Sequence, residues 1–386
     1  MKKIGFFLYS EKIAGVENYL INLINSWPEK NDIIIIFINK NFKKINKLKE
    51  KLKRKVIFFL YEDFLQYNFS DSNIFKKIIF KIKFLKFLFL KKNFLLSKLY
   101  SLKLDSFLII NGGYPGVIYN LLIAISWKKY KYKSAWMVVH NYPKKCNFFN
   151  IFIQLIIDYY FSLNLIGIVT VSNSGLKSIK KRKFIKKLKL RVIYNGVEKL
   201  LVNKVNKNKN KLKIIMIAVF EERKGFDFIF RSLRVLKKEL SQFNLSLYGD
   251  YSKEDKSAIK KLISKYQLNK FVIIKKYQTK KNNIFKDKDV LVLPSKYEIF
   301  GLSIIEAMMF KIPAIATNVG GPKEIIKNNK TGFLVNYNND YIMANTIKNL
   351  SNNKVLYNYI VKNAHREYLK NYTSKNMSQK YFNLLK

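Results

Sequence analysis

Pro294-Ser295-Lys296-Tyr297-Glu298-Ile299-Phe300-Gly301-Leu302-Ser303-Ile304-Ile305-Glu306-Ala307-Met308 is the stretch that decides the fold. Val290 to Pro294 is an apolar run of strand length, and beyond Gly301 the apolar spacing turns helical, beginning near Leu302 or Ser303. A strand that ends in a glycine-bearing loop and feeds a helix is the unit from which α/β sheets are assembled. The first amides of such a helix have no intrahelical acceptor, and they point into the crevice beyond the strand's carboxyl end, where open α/β sheets take ligands. Gly301 lets the backbone approach a ligand closely. Two carboxylates flank the turn, Glu298 in the loop and Glu306 in the first helical turns. Ser303 and Glu306 also spell a capping box, which accounts for both without any ligand, and Glu298 by itself reads as an exposed loop acid. In a chain with 25 acids against 74 lysines and arginines, two glutamates around one glycine turn favour a site.

On either side of this stretch the same alternation continues. Lys213 to Ala218, Leu245 to Tyr248, Phe271 to Ile274 and Ala314 to Thr317 read as strands, with a helix over Asp227 to Leu240. The N-terminal half has strands at Lys3 to Tyr9, Ile33 to Ile38, Val56 to Leu60, Phe107 to Ile110, Ala135 to His140 and Ile168 to Ser172, and a helix over Val16 to Ser26. Such alternation predicts α/β architecture with two Rossmann-like parallel-sheet domains. Asn195-Gly196 makes a turn, and Asn203 to Lys211 is a polar run suited to a linker. The expected domains are 1–200 and 201–365. The stretch from about Asn353 onward is helical and basic, and its last part, 366–386, is expected to cross back to the first domain.

Composition narrows the classes. Of 386 residues 49% are hydrophobic, enough for two cores and incompatible with wholesale disorder. Cys146 is the single cysteine, so no intrachain disulfide can form, and a reducing compartment fits. Met1 to Ser10 is basic and then apolar like a short signal peptide, but it meets Glu11 and Lys12 with no small-residue cleavage site, and reads as a buried first strand. No clean apolar run reaches spanning length. The nearest, Ile151 to Val171, is broken by Gln154, Asp158, Asn164 and Gly167, and reads as a buried helix followed by a strand.

The net charge of +49 comes mostly from lysine, in a chain equally crowded with other residues that have A/T-rich codons. Whatever its origin, such a surface attracts anions: lipid headgroups, nucleotides or nucleic acid. A nucleic-acid binder would cluster its basic residues in a module with stacking aromatics, whereas here they run through the whole chain. Lys76 to Lys103 alternates lysine with Ile, Phe and Leu and contains no acid. It suits an interfacial helix on an anionic membrane, and equally a helix packed on the first domain. Asp287-Lys288-Asp289 spells D-x-D but leads straight into a strand, and is read as no metal site. There is no Cys/His cluster for zinc, no Walker loop and no G-x-G-x-x-G.

Glu298, Phe300-Gly301-Leu302 and Glu306-Ala307 together resemble the E-x-F-G-x-x-x-x-E signature of the large retaining glycosyltransferase family four, which has the GT-B fold. The resemblance runs in order along almost the whole chain: Ala14-Gly15-Val16-Glu17, Asn111 to Gly116, His140, Val171-Ser172, Asn195-Gly196-Val197, Lys224-Gly225, Tyr248-Gly249-Asp250, Gly320-Gly321-Pro322-x-Glu324 and Thr331-Gly332-Phe333. It implies two domains facing across a cleft and transfer of a sugar from a nucleotide diphosphate sugar to a hydroxyl, with retention, without metal and without a further cofactor. By the same resemblance, Glu306 would accept from the ribose hydroxyls and Glu298 would contact the donor sugar. The amides around Phe300, Gly301 and Leu302 would hold the diphosphate or sugar, and Lys224 would neutralise the diphosphate. Gly15 would let the first helix approach the phosphate or acceptor, and His140 would hydrogen-bond the sugar. The family usually has an arginine five residues before the lysine; here that position is Val219, and Arg223 is the neighbouring charge.

The expected partners are a nucleotide sugar, a saccharide or lipid-linked acceptor such as a surface-polysaccharide or lipopolysaccharide precursor, and an anionic membrane touched peripherally. No specific nucleic acid is expected. The expected place is the cytoplasm, at the inner face of the cell membrane. A membrane-bound scaffold without catalysis is the alternative that Val219 raises.

Overall fold

The structure is a computed structural model, and it describes residues 1–9, 15–42, 45–62, 96–116, 118–131, 134–143, 151–200, 211–278 and 280–386. The Lys76 to Lys103 run up to residue 95, the Asn203 to Lys211 run up to residue 210, Ala14 and Cys146 lie outside the described residues. The chain divides into two compact units, Met1–Tyr194 with Ser374–Lys386, and Asn195–Thr373.

The first unit holds a sheet of β1 (Lys3–Leu8), β2 (Ile33–Asn39), β3 (Ile57–Tyr61), β4 (Ser106–Asn111), β5 (Ala135–Val139), β6 (Leu165–Thr170) and β7 (Lys189–Val192). Their order is β3-β2-β1-β4-β5-β6-β7, and every pair is parallel. The second holds β8 (Leu212–Ile217), β9 (Phe243–Gly249), β10 (Val272–Lys276), β11 (Val290–Leu293), β12 (Ala314–Thr317) and β13 (Phe333–Val335). Their order, β10-β9-β8-β11-β12-β13, is again wholly parallel. Strands covered on both faces read as continuous apolar runs, which is why Ile33 to Ile38 and Val290 to Leu293 need no polar alternation. The strands read from sequence are all present. The short outer strands β7 and β13 were not among them. β7, Lys-Leu-Arg-Val, sits at the sheet edge with half its side chains toward solvent and carries no continuous apolar signal.

One local expectation is corrected, and one alternative reading is removed. The helix over Ile151–Asn164 is not buried: Ile151, Phe152, Tyr159 and Leu163 face solvent, while Asp158 and Phe161 turn inward. The capping box at Ser303 and Glu306 does not form, because the helix Leu302–Met309 starts from Gly301, so Ser303 lies within its first turn and is buried with Glu306.

In the first unit a buried polar knot ties the loop after β4 to the helices beyond. Asp158 accepts from Tyr114 Oη at 2.7 Å, from Gln154 Nε2 at 2.9 Å and from Arg182 Nε at 2.9 Å, while the Arg182 guanidinium lies 4.9 Å from the Tyr114 ring centre. Burial, and then the neighbouring carboxylate, hold the Tyr114 phenol above its ordinary value. The helix Ser374–Leu385 packs on the helix Gly15–Asn25 in the same unit, with Ser378 Oγ donating to Leu23 O at 2.7 Å. Asp158→Ala strands a buried guanidinium and phenol together, and is expected to cost about 3 kcal/mol or more. Thermal unfolding followed by circular dichroism checks this.

Candidate functional site

In the second sheet the chain leaves β8 toward β9 on one side and leaves β11 toward β12 on the other. Adjacent strands whose connections diverge open a crevice at their carboxyl ends, where doubly wound sheets bind ligands. The loops that follow these two strands carry Arg223-Lys224 and Glu298.

Backbone contact holds the two loops together. The turn Glu222–Lys224 ends on Gly225, whose φ of 75° is left-handed, and a Cβ there would stand 1.9 Å from Pro294 O. Lys296 N donates to Arg223 O at 2.8 Å across the same seam. On the far side of the Glu298 loop, Gly321 N donates to Glu298 O at 2.9 Å, and a Cβ on Gly321 would stand 2.3 Å from Phe300 Cα.

Side chains then converge. Lys224 Nζ meets Glu298 Oε2 at 2.6 Å, both side chains being 12% exposed. Arg223 Nη1 is 3.9 Å from the same oxygen, its Nε pairs with Glu221 Oε2 at 2.6 Å, and its guanidinium lies 5.8 Å from the Tyr297 ring. Ser295 Oγ is 3.5 Å from Glu298 Oε2. Two cations around one carboxylate, at the mouth of a crevice, suit a ligand that is itself both anionic and hydroxyl-rich. Val219 starts the loop after β8 and is exposed, so the nearby guanidinium comes from Arg223.

Gly301, with φ 97° and ψ 57°, caps the Leu302–Met309 helix without a side-chain hydrogen bond. Ile304 N already bonds to Gly301 O, whereas the amides of Leu302 and Ser303 precede any intrahelical acceptor. Phe300 itself is buried and sits edge-on to Tyr372, so its ring packs while the loop backbone turns. Glu306, one turn further on, is 6% exposed and pairs with Lys281 Nζ at 2.7 Å. Lys281 also donates to Tyr277 Oη at 2.7 Å. Burial alone would lower the Lys281 ammonium, but Glu306 and Tyr277 outweigh it and hold it above the ordinary lysine value. Lys281 and Tyr277 were not singled out in the sequence; one more lysine in so basic a chain carries no signal.

Gly15 and His140 belong to the first unit. Gly15 opens its helix, is exposed, and has no described atom within 4 Å of where a Cβ would stand. His140 follows β5, its N–H donating to Asn111 O at 3.2 Å and its ring standing edge-on to Tyr19 at 4.3 Å. Nε2 is sealed from solvent with no hydrogen-bond partner among the described residues. Burial lowers the imidazole pKa to about 3, so it is neutral at physiological pH. Asp289 uses its carboxylate on Lys213 N at 2.8 Å, bracing β11 against β8.

With that geometry in hand, comparison with known proteins is informative. Residues 197–367 match the family model described as Glycosyl transferases group 1. A protein of Klebsiella pneumoniae described as an uncharacterized 41.2 kDa protein in the cps region is 31% identical over 163 residues, 40% of this chain and 43% of that protein. The poly(ribitol-phosphate) alpha-N-acetylglucosaminyltransferase of Staphylococcus aureus is 34% identical over 128 residues, 33% of this chain and 26% of that protein. The chain thus spans less than half the length of these two curated relatives. Among solved structures, Anabaena HepE in complex with UDP and glucose superposes with a TM-score of 0.75 at 16% identity, covering 100% of this chain and 99% of that one. The fold is that of the GT-B glycosyltransferases. Residues 197–367, nearly all of the second unit, are thus the part of the chain that resembles glycosyl transferases group 1.

Two outcomes test this geometry. Lys281→Met leaves the Glu306 carboxylate buried and unpaired and is expected to cost about 3 kcal/mol, most of it restored in Lys281→Met/Glu306→Leu; urea titration of both variants measures it. Burial lowers the His140 imidazole to about 3 in the folded chain, against the ordinary histidine value of about 6.5 in the unfolded one. Between these values the unfolded chain binds the extra proton, so stability is full above about pH 6.5 and falls as pH drops toward 3. His140→Phe is expected to flatten melting temperature against pH across that window.

Proposed function

We propose that the chain is a retaining, metal-independent glycosyltransferase of family four, moving a hexosyl group from a nucleotide diphosphate sugar to a hydroxyl acceptor. The observation that carries this reading is the meeting of Lys224, Arg223 and Glu298 at the carboxyl ends of β8 and β11, beside the open amides of the Leu302–Met309 helix. The chemical difficulty of the reaction is departure of the diphosphate. Lys224, Arg223 and the helix amides supply positive charge and donors where that negative charge develops. Glu298 accepts from hydroxyls of the donor sugar, and Glu306, fixed by Lys281, accepts from the ribose. The acceptor hydroxyl attacks the anomeric carbon on the face from which the diphosphate leaves. One carbon–oxygen bond forms, the bond to the diphosphate breaks, and the hydroxyl proton passes to the departing phosphate oxygen. His140, kept neutral, contributes a hydrogen bond to the sugar, and Gly15 keeps the start of its helix free of a side chain where phosphate or acceptor comes close.

The relatives support a surface-polymer context: one lies in a cps region, and another is named for acting on poly(ribitol-phosphate). The acceptor in this reading is a lipid-linked or surface-polysaccharide precursor, met in the cytoplasm at the inner face of the membrane. No cofactor beyond the nucleotide sugar takes part.

A panel of nucleotide sugars scored by thermal shift tests the proposal. The donor, at a hundred times its dissociation constant, is expected to stabilise the fold by about 2.7 kcal/mol. Lys224→Ala and Glu298→Gln are each expected to weaken its binding by about tenfold or more, the loss of one charge-assisted hydrogen bond. If no nucleotide binds to the wild type or to Glu306→Ala, the scaffold reading that Val219 raises takes its place.

A further inference from the structure

The helix Ile151–Asn164 presents an outward face with no charged residue. Its one charged side chain, Asp158, is buried and paired with Arg182. Phe152, Tyr159 and Leu163, spaced to form one stripe, are 75%, 47% and 43% exposed, with Leu155 and Ile156 half-buried between them. A surface helix ordinarily turns polar residues to water, so an apolar stripe facing solvent calls for a partner.

The flanks say which. Tyr159 meets Phe184 with ring centres 5.5 Å apart, and Lys183 lies over the Phe184 ring. Around it the acid-free run 180–187 exposes Lys180, Lys181, Lys183, Lys186 and Lys187. On the other flank the helix Ile118–Lys131 ends in Lys128, Lys129 and Lys131, with Lys128 Nζ donating to Leu163 O. An apolar stripe fenced on both sides by lysines is the pattern of a helix lying in a lipid interface, its apolar side at the acyl boundary and its cations at the headgroups. A second copy of the chain would bring two lysine fences together, a like-charge contact that opposes pairing. Among the described residues no helix is long and apolar enough to cross a membrane.

We infer that the outward face of the Ile151–Asn164 helix, with the 180–187 run and the Lys128–Lys131 end, docks the first unit on an anionic lipid surface. This assigns membrane contact to particular residues. It stands apart from sugar transfer, because vesicle binding reads no catalysis and nucleotide thermal shift reads no lipid.

The test uses the full chain with vesicles of phosphatidylcholine alone and vesicles one-third phosphatidylglycerol. The wild type is expected to sediment with the anionic vesicles, and Phe152→Glu/Tyr159→Glu to lose about tenfold or more in partitioning with its melting curve unchanged. Lys260→Gln/Lys261→Gln, an equal change of two charge units on an exposed face of the second unit, is expected to leave partitioning near the wild-type value. Trp27, Trp127 and Trp136 are all buried, so Phe152→Trp adds an exposed reporter whose emission is expected to shift to the blue on anionic vesicles only. Three results would overturn the inference. The wild type could ignore anionic vesicles, or the two charge variants could lose partitioning equally, which makes binding a matter of net charge. Or ultracentrifugation could show a wild-type dimer that Phe152→Glu/Tyr159→Glu dissolves while vesicle binding stays the same.

Discussion

The close approach of Gly225 to the carbonyl of Pro294 governs the second unit's chemistry. No side chain fits between them, and the left-handed turn at Gly225 is one that glycine adopts without strain. This seam, with the hydrogen bond from Lys296 to Arg223, sets the loops after β8 and β11 in a fixed register. Lys224 and Glu298 are 74 residues apart in sequence and meet as a consequence. A largely buried ion pair loses in desolvation much of what it gains in attraction, so the backbone, more than the pair, keeps the groups in place. Gly321 presses on the same loop from the other side, at Phe300, and three loops are thereby locked with two glycines in the contacts.

The fold was legible because parallel strands, covered on both faces, write themselves as unbroken apolar runs. Ile33 to Ile38 admits few other readings. The site was partly legible. Glu298, Gly301, Lys224 and Arg223 all sit in loops that follow strands at the point where the sheet's connections diverge, and a strand–loop–helix reading locates such loops. What sequence does not carry is pairing. That Lys224 faces Glu298 while Glu306 faces Lys281 depends on how β8, β10 and β11 lie side by side, which is long-range information.

Two local patterns, the capping box as the alternative to a site and the buried helix as an expectation, give way to their surroundings. Ser303-x-x-Glu306 satisfies a short-range rule, but the left-handed Gly301 starts the helix one residue before Ser303 and draws both side chains into the interior. The Ile151–Asn164 helix is apolar nearly all round, a pattern that fits burial in a large core and contact with a nonaqueous surface equally well. Choosing between them needs the neighbours. Asp158, anchored by Tyr114 and Arg182, fixes the helix's rotation and so decides which side chains remain outside.

The first unit joins Met1–Tyr194 to Ser374–Lys386, while the second is the single stretch Asn195–Thr373, in which Val197 near one border pairs with Thr373 at the other. On the ribosome this sets an order of events. Residues 195–373 can collapse as an uninterrupted stretch while the earlier half still lacks Tyr381 over Tyr19 and Phe382 over Trp27. Met1–Tyr194 therefore completes part of its core with residues that lie beyond the whole second unit in sequence.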